Sequence, residues 1–190
     1  MVQLQWTGDY IAIILCCTVC AMSSMNVVTA PSISLEGKNI WLIQSLPVTG
    51  WQVLLSKLKL HMIVTAPAAV LVTIVAEIIT KPSLIMSVLV VIIQIVFIFL
   101  FGLVGLMFNL KWHNLDWTNE SFAVKQSLSV VLTMFTPWGI LIVLGTLFYF
   151  ICDYIAIELF LGICLVIMVG IATVLMKWLK TRGAKKFETL

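Results

Sequence analysis

Residues 32–59 read SISLEGKNIWLIQSLPVTGWQVLLSKLK and form the longest segment of the chain that cannot be buried in lipid. The segment carries four charged side chains and separates two long apolar runs. Pro47 and Gly50 interrupt it near its middle, and a residue that precedes proline is disfavoured in the α region. We therefore predict a short helix, a turn and a second helix that re-enters the membrane, and we call residues 32–59 the elbow.

Local signals support this prediction for the elbow. Ser34 is placed to cap a helix whose first turn holds Glu36, where the helix dipole favours a negative charge. Thr49 and Gln52 have the spacing of a capping box just before an apolar run. Apolar residues recur every three positions from Ile40, which predicts an apolar face on the first helix. An interfacial helix anchored at the lipid head groups would have the same pattern, so both interpretations stay open.

The composition decides the class of the protein. Of the 190 residues, 62% are hydrophobic and only 10% are charged, whereas soluble domains carry about 25% charged residues. The mean hydropathy is +1.17. These values predict an all-α, polytopic integral membrane protein with a single transmembrane domain over residues 1–190.

The apolar runs predict about five transmembrane helices, since a bilayer core needs about 20 apolar residues. The predicted spans are residues 10–30, 60–79, 83–108, 128–151 and 154–176. Three polar segments alternate with them: the elbow, a loop at 109–127 and a basic tail at 177–190. These three segments hold ten of the eleven Lys and Arg residues, and Lys81 is the remaining one. Because basic residues favour the cytoplasm, we predict an outside N-terminus and a cytoplasmic C-terminus.

The sequence lacks the motifs of an enzyme. Gly37-Lys38 is followed by Asn39 and has neither the upstream glycine nor the hydroxyl residue of a phosphate-binding loop. No hydrolase or metalloprotease motif is present, so we predict no catalytic residue, no metal site and no cofactor. If ATP drives this protein, a separate chain binds it. His61 and His113 are solitary, and we expect solvated or capping roles for them.

A few polar residues lie within or beside the predicted spans. Charges there mark transport paths in some proteins, but Glu77, Asp153 and Glu158 can all reach the outer interface as ordinary interfacial charges. Gln94 is more central, and its expected role is a hydrogen bond between helices. Two glycine pairs are expected to let helices pack closely: Gly102 with Gly105, and Gly162 with Gly170.

The elbow resembles the cytosolic elbow of the membrane subunits of ABC type-2 exporters. The residues that carry this resemblance are Ser34-Leu35-Glu36-Gly37-Lys38, Trp41-Leu42, Ser45-Leu46-Pro47-Val48 and Lys57. The later runs Leu115-Asp116-Trp117-Thr118-Asn119-Glu120 and Val124-Lys125-Gln126-Ser127 resemble a branch of large ABC permeases of Gram-positive bacteria. The resemblance covers about residues 30–129.

The resemblance implies that the elbow docks into a groove of a cytosolic ATPase and passes on its closing motion. The implied coupling residues are Glu36, Gly37, Lys38, Trp41, Leu42 and Pro47. In the second cytosolic loop, the candidate residues are Asp116, Trp117, Glu120 and Lys125. The implied partners are an ABC ATPase subunit that binds the ATP, a second permease half or a second copy of the chain, and membrane lipid, with no nucleic acid. The implied location is the bacterial cytoplasmic membrane.

The sequence therefore predicts a permease subunit of an ATP-driven ABC exporter, or the C-terminal portion of one. A six-span permease half without its first span would have five spans and an outside start, as the charges predict. The alternative is a small integral membrane protein with a regulatory, immunity or assembly role and no transport of its own. A proton-coupled carrier would need a buried acid at the membrane midplane, and none is convincing.

Overall fold

The computed structural model describes residues 8–115, 117, 119, 121, 124, 127–151 and 154–190, and within these ranges it contains helices and no strand. The predicted all-α fold is confirmed. The elements in chain order are α1 (Gly8–Ser24), a 3-10 segment (Ser34–Asn39) that leads into α2 (Ile40–Gln44), α3 (Gly50–Thr80), α4 (Leu84–Lys111), α5 (Leu128–Ile151), α6 (Ile157–Trp178), a π-helical turn (Leu179–Gly183) and α7 (Ala184–Glu188).

Four helices are long and apolar enough to cross a membrane. They are α3, α4, α5 and the continuous helix from Ile157 to Glu188, while the apolar helix Ile11–Ser24 is shorter. At 1.5 Å per residue, the 31 residues of α3 extend about 46 Å, more than the roughly 30 Å of a bilayer core. The second arm of the elbow and the predicted second span are therefore one helix.

Helix α4 lies at the centre of the bundle and packs against α1, α3, α5 and α6. In its most apolar stretch of 18 residues, 44% are buried, compared with 17% in α3, 17% in α5 and 11% in the helix from Ile157. Its sequence explains this position, because a helix that is apolar on all sides is stable when it is surrounded by other helices. Gln94 lies in α4 and accepts a hydrogen bond from the Cys20 thiol of α1 at 2.9 Å, which confirms its predicted role between helices.

Helix α1 ends at Ser24, before the end of the predicted span at residue 30. Near its end the hydroxyls of Ser23 and Ser24 donate to the carbonyls of Val19 and Ala21, and such side chains compete with regular helix. The later part of the irregular chain that follows is enclosed by protein, since Thr29, Ala30 and Ile33 are buried, whereas Met25 at its start is exposed. Irregular backbone at this depth is tolerated when protein covers it.

The segment predicted as a basic tail is helical. Helix α6 continues through the π-helical turn into α7, and both Leu179 and Phe187 are fully buried. These apolar side chains lie among the five basic residues of the tail and hold it against the bundle. The sequence predicts only a basic tail at 177–190, and the buried side chains of Leu179 and Phe187 account for its helical packing against the bundle.

The two predicted glycine pairs differ. A Cβ on Gly102 would lie 2.8 Å from side-chain atoms of His61 and Leu58, and one on Gly105 would overlap Thr29. Gly162 and Gly170 have no neighbouring atoms within 4 Å of that position in the described part of the chain. The first pair therefore permits close packing as predicted, while the second faces outward.

Candidate functional site

A buried pair of residues, Ser34 and Asn109, joins the start of the elbow to the end of α4. The Asn109 Oδ1 atom accepts hydrogen bonds from the backbone amides of Ile33 and Ser34, at 2.7 and 3.2 Å. The Asn109 Nδ2 atom donates to Ser34 Oγ at 2.8 Å. The prediction that Ser34 caps a helix is wrong, because no side chain caps the 3-10 segment and the Ser34 hydroxyl binds Asn109 instead.

Helix α5 and the loop that precedes it join the same network. Asn109 Nδ2 also donates to Ser129 Oγ at 3.2 Å, and the Ser129 hydroxyl donates to the Ala30 carbonyl at 3.0 Å. Trp117 Nε1 donates to the Ser34 carbonyl at 2.6 Å. In a buried setting, a network whose members all find partners fixes one arrangement of the elements that it joins. The elbow is therefore held to α4, to α5 and to the loop at once.

Gly37 and Trp117, which the sequence placed in two separate groups of site residues, lie in contact. Gly37 has φ +52° and ψ −135°, a conformation that only glycine adopts readily. A Cβ at this position would lie 2.8 Å from Cζ2 of the Trp117 ring. The glycine thus allows the elbow to turn beneath the indole, which gives it a structural role on the inward side of the elbow.

The two arms of the elbow are joined by an ion pair. Lys57 Nζ lies 2.6 Å from Glu36 Oε1 and donates to the Ser32 carbonyl at 2.7 Å. The Lys57 and Glu36 side chains are 13% and 29% exposed, so water screens this pair less than it screens a pair on an open surface. Glu36 is therefore engaged inside the elbow.

The remaining predicted coupling residues point outward. Lys38 and Pro47 are exposed, and Trp41 and Leu42 are 60% and 48% exposed. Further exposed apolar residues lie beside them, and we name the whole set the elbow ridge: Leu35, Trp41, Leu42, Leu46, Pro47 and Val48. Contiguous exposed apolar surface typically marks a binding site for protein or membrane.

Helix α7 supports the elbow from the other side, which the sequence interpretation missed. Gln44 Nε2 donates to the Phe187 carbonyl at 2.9 Å, and the Gly50 amide donates to Glu188 Oε1 at 2.9 Å. Gly50 begins α3, so the Glu188 carboxylate satisfies one of its free amides. The predicted capping box of Thr49 and Gln52 is present at the same helix start and is confirmed.

The second predicted group of site residues is only partly visible. Trp117 belongs to the network around Ser34. Asp116, Glu120 and Lys125 lie outside the described residues. The loop, the elbow and α7 nevertheless meet at one end of the bundle, as their described contacts show.

The two histidines have different surroundings. His61 is 4% exposed, so the expectation of a solvated side chain is wrong for it. It lies in α3 beside Gly102 and lines a cavity of about 10 Å³ together with Asn26 and Thr133. His113 lies at the end of α4 with Nδ1 3.3 Å from the Leu110 carbonyl, in agreement with the predicted capping role.

The acidic residues near the other end of the bundle form no central transport path in the described structure. Glu77 lies in α3 near its end, and Glu158 lies in the first turn of α6. Helix α3 ends at Thr80, and the Lys81 amide donates to the Glu77 carbonyl. Asp153 lies outside the described residues.

The comparisons with known proteins support the class of the protein. Residues 3–177 match the model of a family described as membrane protein of 12 TMs. No curated protein and no solved structure matches the chain. These findings support a multi-span membrane protein, and the ABC type-2 assignment stays a prediction. Since the match extends over most of the sequence, the chain belongs to this family of membrane proteins with twelve transmembrane segments.

Proposed function

We propose that this chain is a permease subunit of an ATP-driven ABC exporter, or the C-terminal portion of one, and that the elbow couples it to a separate ATPase chain. The observation that carries the proposal is the two-sided construction of the elbow. Its inward side is bound to α4 through Asn109, and the Glu36–Lys57 ion pair joins its first arm to α3. Ser129 of α5 binds Asn109 and the Ala30 carbonyl just before the elbow. Its outward side presents Trp41 and Leu42. An element that transmits motion needs both a rigid attachment and a free docking surface.

The contacts suggest how such motion would reach the membrane helices. A force on the elbow ridge would pass to α3 through the Glu36–Lys57 ion pair. It would pass to α4 and α5 through Asn109 and Ser129. Because α4 touches the other spanning helices, a shift of its end would alter the packing of the whole bundle. The ATP would be bound and hydrolysed by the partner, so this chain would need no cofactor or catalytic residue.

The number of spans favours a larger working unit. The family description gives twelve spans, whereas this chain has four long apolar helices and the shorter α1 among its described residues. Further helices would come from a second permease half or from a second copy of the chain. The outward-facing Gly162 and Gly170 of α6 are suitable for such packing, because small residues let membrane helices approach closely. Lipid would cover the remaining apolar surface of the unit in the bacterial cytoplasmic membrane.

Co-purification tests the proposal. The chain is extracted in mild detergent, and its partners are identified by mass spectrometry. We expect a P-loop ATPase with the unchanged chain, and we expect its loss when Trp41 and Leu42 are both replaced by Ala. Trp138→Ala is the matched control, since Trp138 is also exposed but lies within α5. Retention of the ATPase by the double variant would contradict the proposed docking surface.

The same experiment distinguishes the alternative function. Recovery of another membrane protein without any ATPase would favour a small regulatory, immunity or assembly protein. In that case the elbow ridge would bind that partner or lie among the lipid head groups, as the amphipathic pattern also allows.

A further inference from the structure

A second feature of the bundle lies far from the elbow, between α1, α4, α5 and α6. It is a cavity of about 200 Å³ whose floor is formed by Val90, Phe97 and Phe101 of α4. Phe97 lies near the middle of α4, so the cavity lies near the middle of the membrane-spanning bundle. The lining is apolar throughout, and cysteine thiols are the most polar side-chain groups on it.

The cavity opens toward the exposed surface of the membrane-spanning helices. Three residues both line it and reach that surface: Ile140, Ile167 and Ile171 are 41%, 55% and 47% exposed. Its floor residues on α4 are buried. The ring contact between Phe148 and Phe160, with centroids 5.2 Å apart, joins α5 to α6 at one edge. The cavity is therefore a recess in the exposed apolar surface of the membrane-spanning helices.

The volume of the recess limits which groups can fit inside it. A dry apolar cavity of about 150 Å³ is enough to bind benzene. One turn of an inserted helix, at least about 10 Å wide and 5.4 Å long, would need about 400 Å³. A hydrocarbon chain therefore fits inside the recess, whereas a helix from another subunit could only lie across its mouth. Charged or strongly polar ligands find no partner on this lining.

We propose that this recess is a binding site for one acyl chain of a bilayer phospholipid. The driving force is dispersion, because lipid tails and the recess are equally apolar while an unfilled recess loses contacts on one side. The surrounding membrane supplies the chain at high concentration. The site does not depend on the proposed coupling to an ATPase.

Photo-crosslinking tests this site on the full chain. The protein is reconstituted into phosphatidylcholine vesicles that contain a phosphatidylcholine with a diazirine in the middle of one acyl chain. After illumination, the adducts are mapped by mass spectrometry. We expect adducts to concentrate on recess residues such as Leu144, Leu161 and Met168. Lipid-facing residues outside the recess, such as Ile142 and Val166, serve as the reference.

Two glycines of α5 provide a matched pair of variants. Gly145 lines the recess, Gly139 does not, and a Cβ at either position meets no atom within 4 Å. Gly145→Trp fills the recess and is expected to abolish the concentration of adducts there, while Gly139→Trp leaves it unchanged. If Gly145→Trp fails to fold, Gly145→Leu tests the same point with a smaller side chain.

Two results would overturn the proposal. One is an even spread of adducts over all lipid-facing residues that Gly145→Trp and Gly145→Leu do not alter. The other is a concentration of adducts on the recess residues that neither Gly145→Trp nor Gly145→Leu reduces, or an absence of adducts there in the unchanged chain.

Discussion

The two ends of this bundle are held together by different kinds of contact. At the elbow end, Ser34, Asn109, Ser129 and Trp117 form hydrogen bonds that join residues 30–34 to residues 109–129, from 75 to 99 positions away. Toward the middle and the other end, α5 and α6 contribute mainly apolar side chains, and much of their surface is exposed. Hydrogen bonds specify one geometry, whereas apolar packing tolerates rearrangement more readily. The elbow end is therefore the more rigid one, and under the proposed coupling it would receive the motion while the apolar region would rearrange in response.

Replacing Asn109 should have the largest effect on the rigid end. Asn109→Leu removes four hydrogen bonds and leaves buried partners unsatisfied, which should cost about 3–5 kcal/mol. For a chain of this size, the melting temperature should fall by on the order of 10 °C. Thermal unfolding in detergent measures the change. Asn39→Ala, at an exposed position of the same elbow, should leave the melting temperature nearly unchanged. An equal effect of both variants would contradict the role of the network.

Gly37→Ala should cause the second-largest loss of stability. The new Cβ must adopt an unfavourable φ and would press on the Trp117 ring, at a cost of about 1–3 kcal/mol. Limited proteolysis should show faster cleavage within the elbow. Gly139→Ala serves as the control, because it has open space around the new methyl group. If Gly37→Ala resists cleavage as well as the unchanged chain does, the turn at Gly37 is not needed for the stability of the elbow.

Loss of the ion pair between the elbow arms should destabilise the chain less than Gly37→Ala does. Lys57→Ala should cost about 0.5–2 kcal/mol, since it removes charged hydrogen bonds to Glu36 and Ser32 that water partly screens. A double-mutant cycle with Glu36→Gln isolates the contribution of the pair in the same unfolding assay. Lys59→Ala is the matched control, because Lys59 is exposed on the same helix. Additive effects of Lys57→Ala and Glu36→Gln would mean that the two side chains are not coupled.

The elbow ridge should have the smallest effect on stability. Replacing Trp41 and Leu42 by Ala removes exposed side chains, so the free energy of unfolding should change by no more than about 0.5 kcal/mol per substitution. The measurement is the same thermal unfolding, with the unchanged chain as reference. A large loss of stability would place these residues in the core of the elbow and would argue against a docking surface.

The sequence predicted features that depend on local spacing. The capping box of Thr49 and Gln52 lies within three residues of chain, and its geometry follows from helix chemistry alone. The helical class followed from composition, because backbone groups in lipid must be satisfied within the segment. The role of Gln94 between helices followed from its polarity in an apolar run.

The features that the sequence did not predict depend on distant partners. Ser34 binds Asn109, which lies 75 positions away, and local patterns favoured a cap for Ser34. The support of the elbow by Phe187 and Glu188 likewise spans more than 130 positions. His61 is buried because Gly102 of another helix makes room for it. In each case the partner is fixed by tertiary packing, which local spacing does not encode.

The central claim is that the elbow ridge docks on an ATPase, and crosslinking from residue 41 in living cells tests it most directly. Trp41 is replaced by the photoreactive residue p-benzoylphenylalanine, and Ile142 carries the same residue as a lipid-facing control. We expect a protein adduct from position 41 that contains a P-loop ATPase, and none from position 142. Lipid adducts from both positions, or a partner at position 41 that binds no ATP, would contradict the claim.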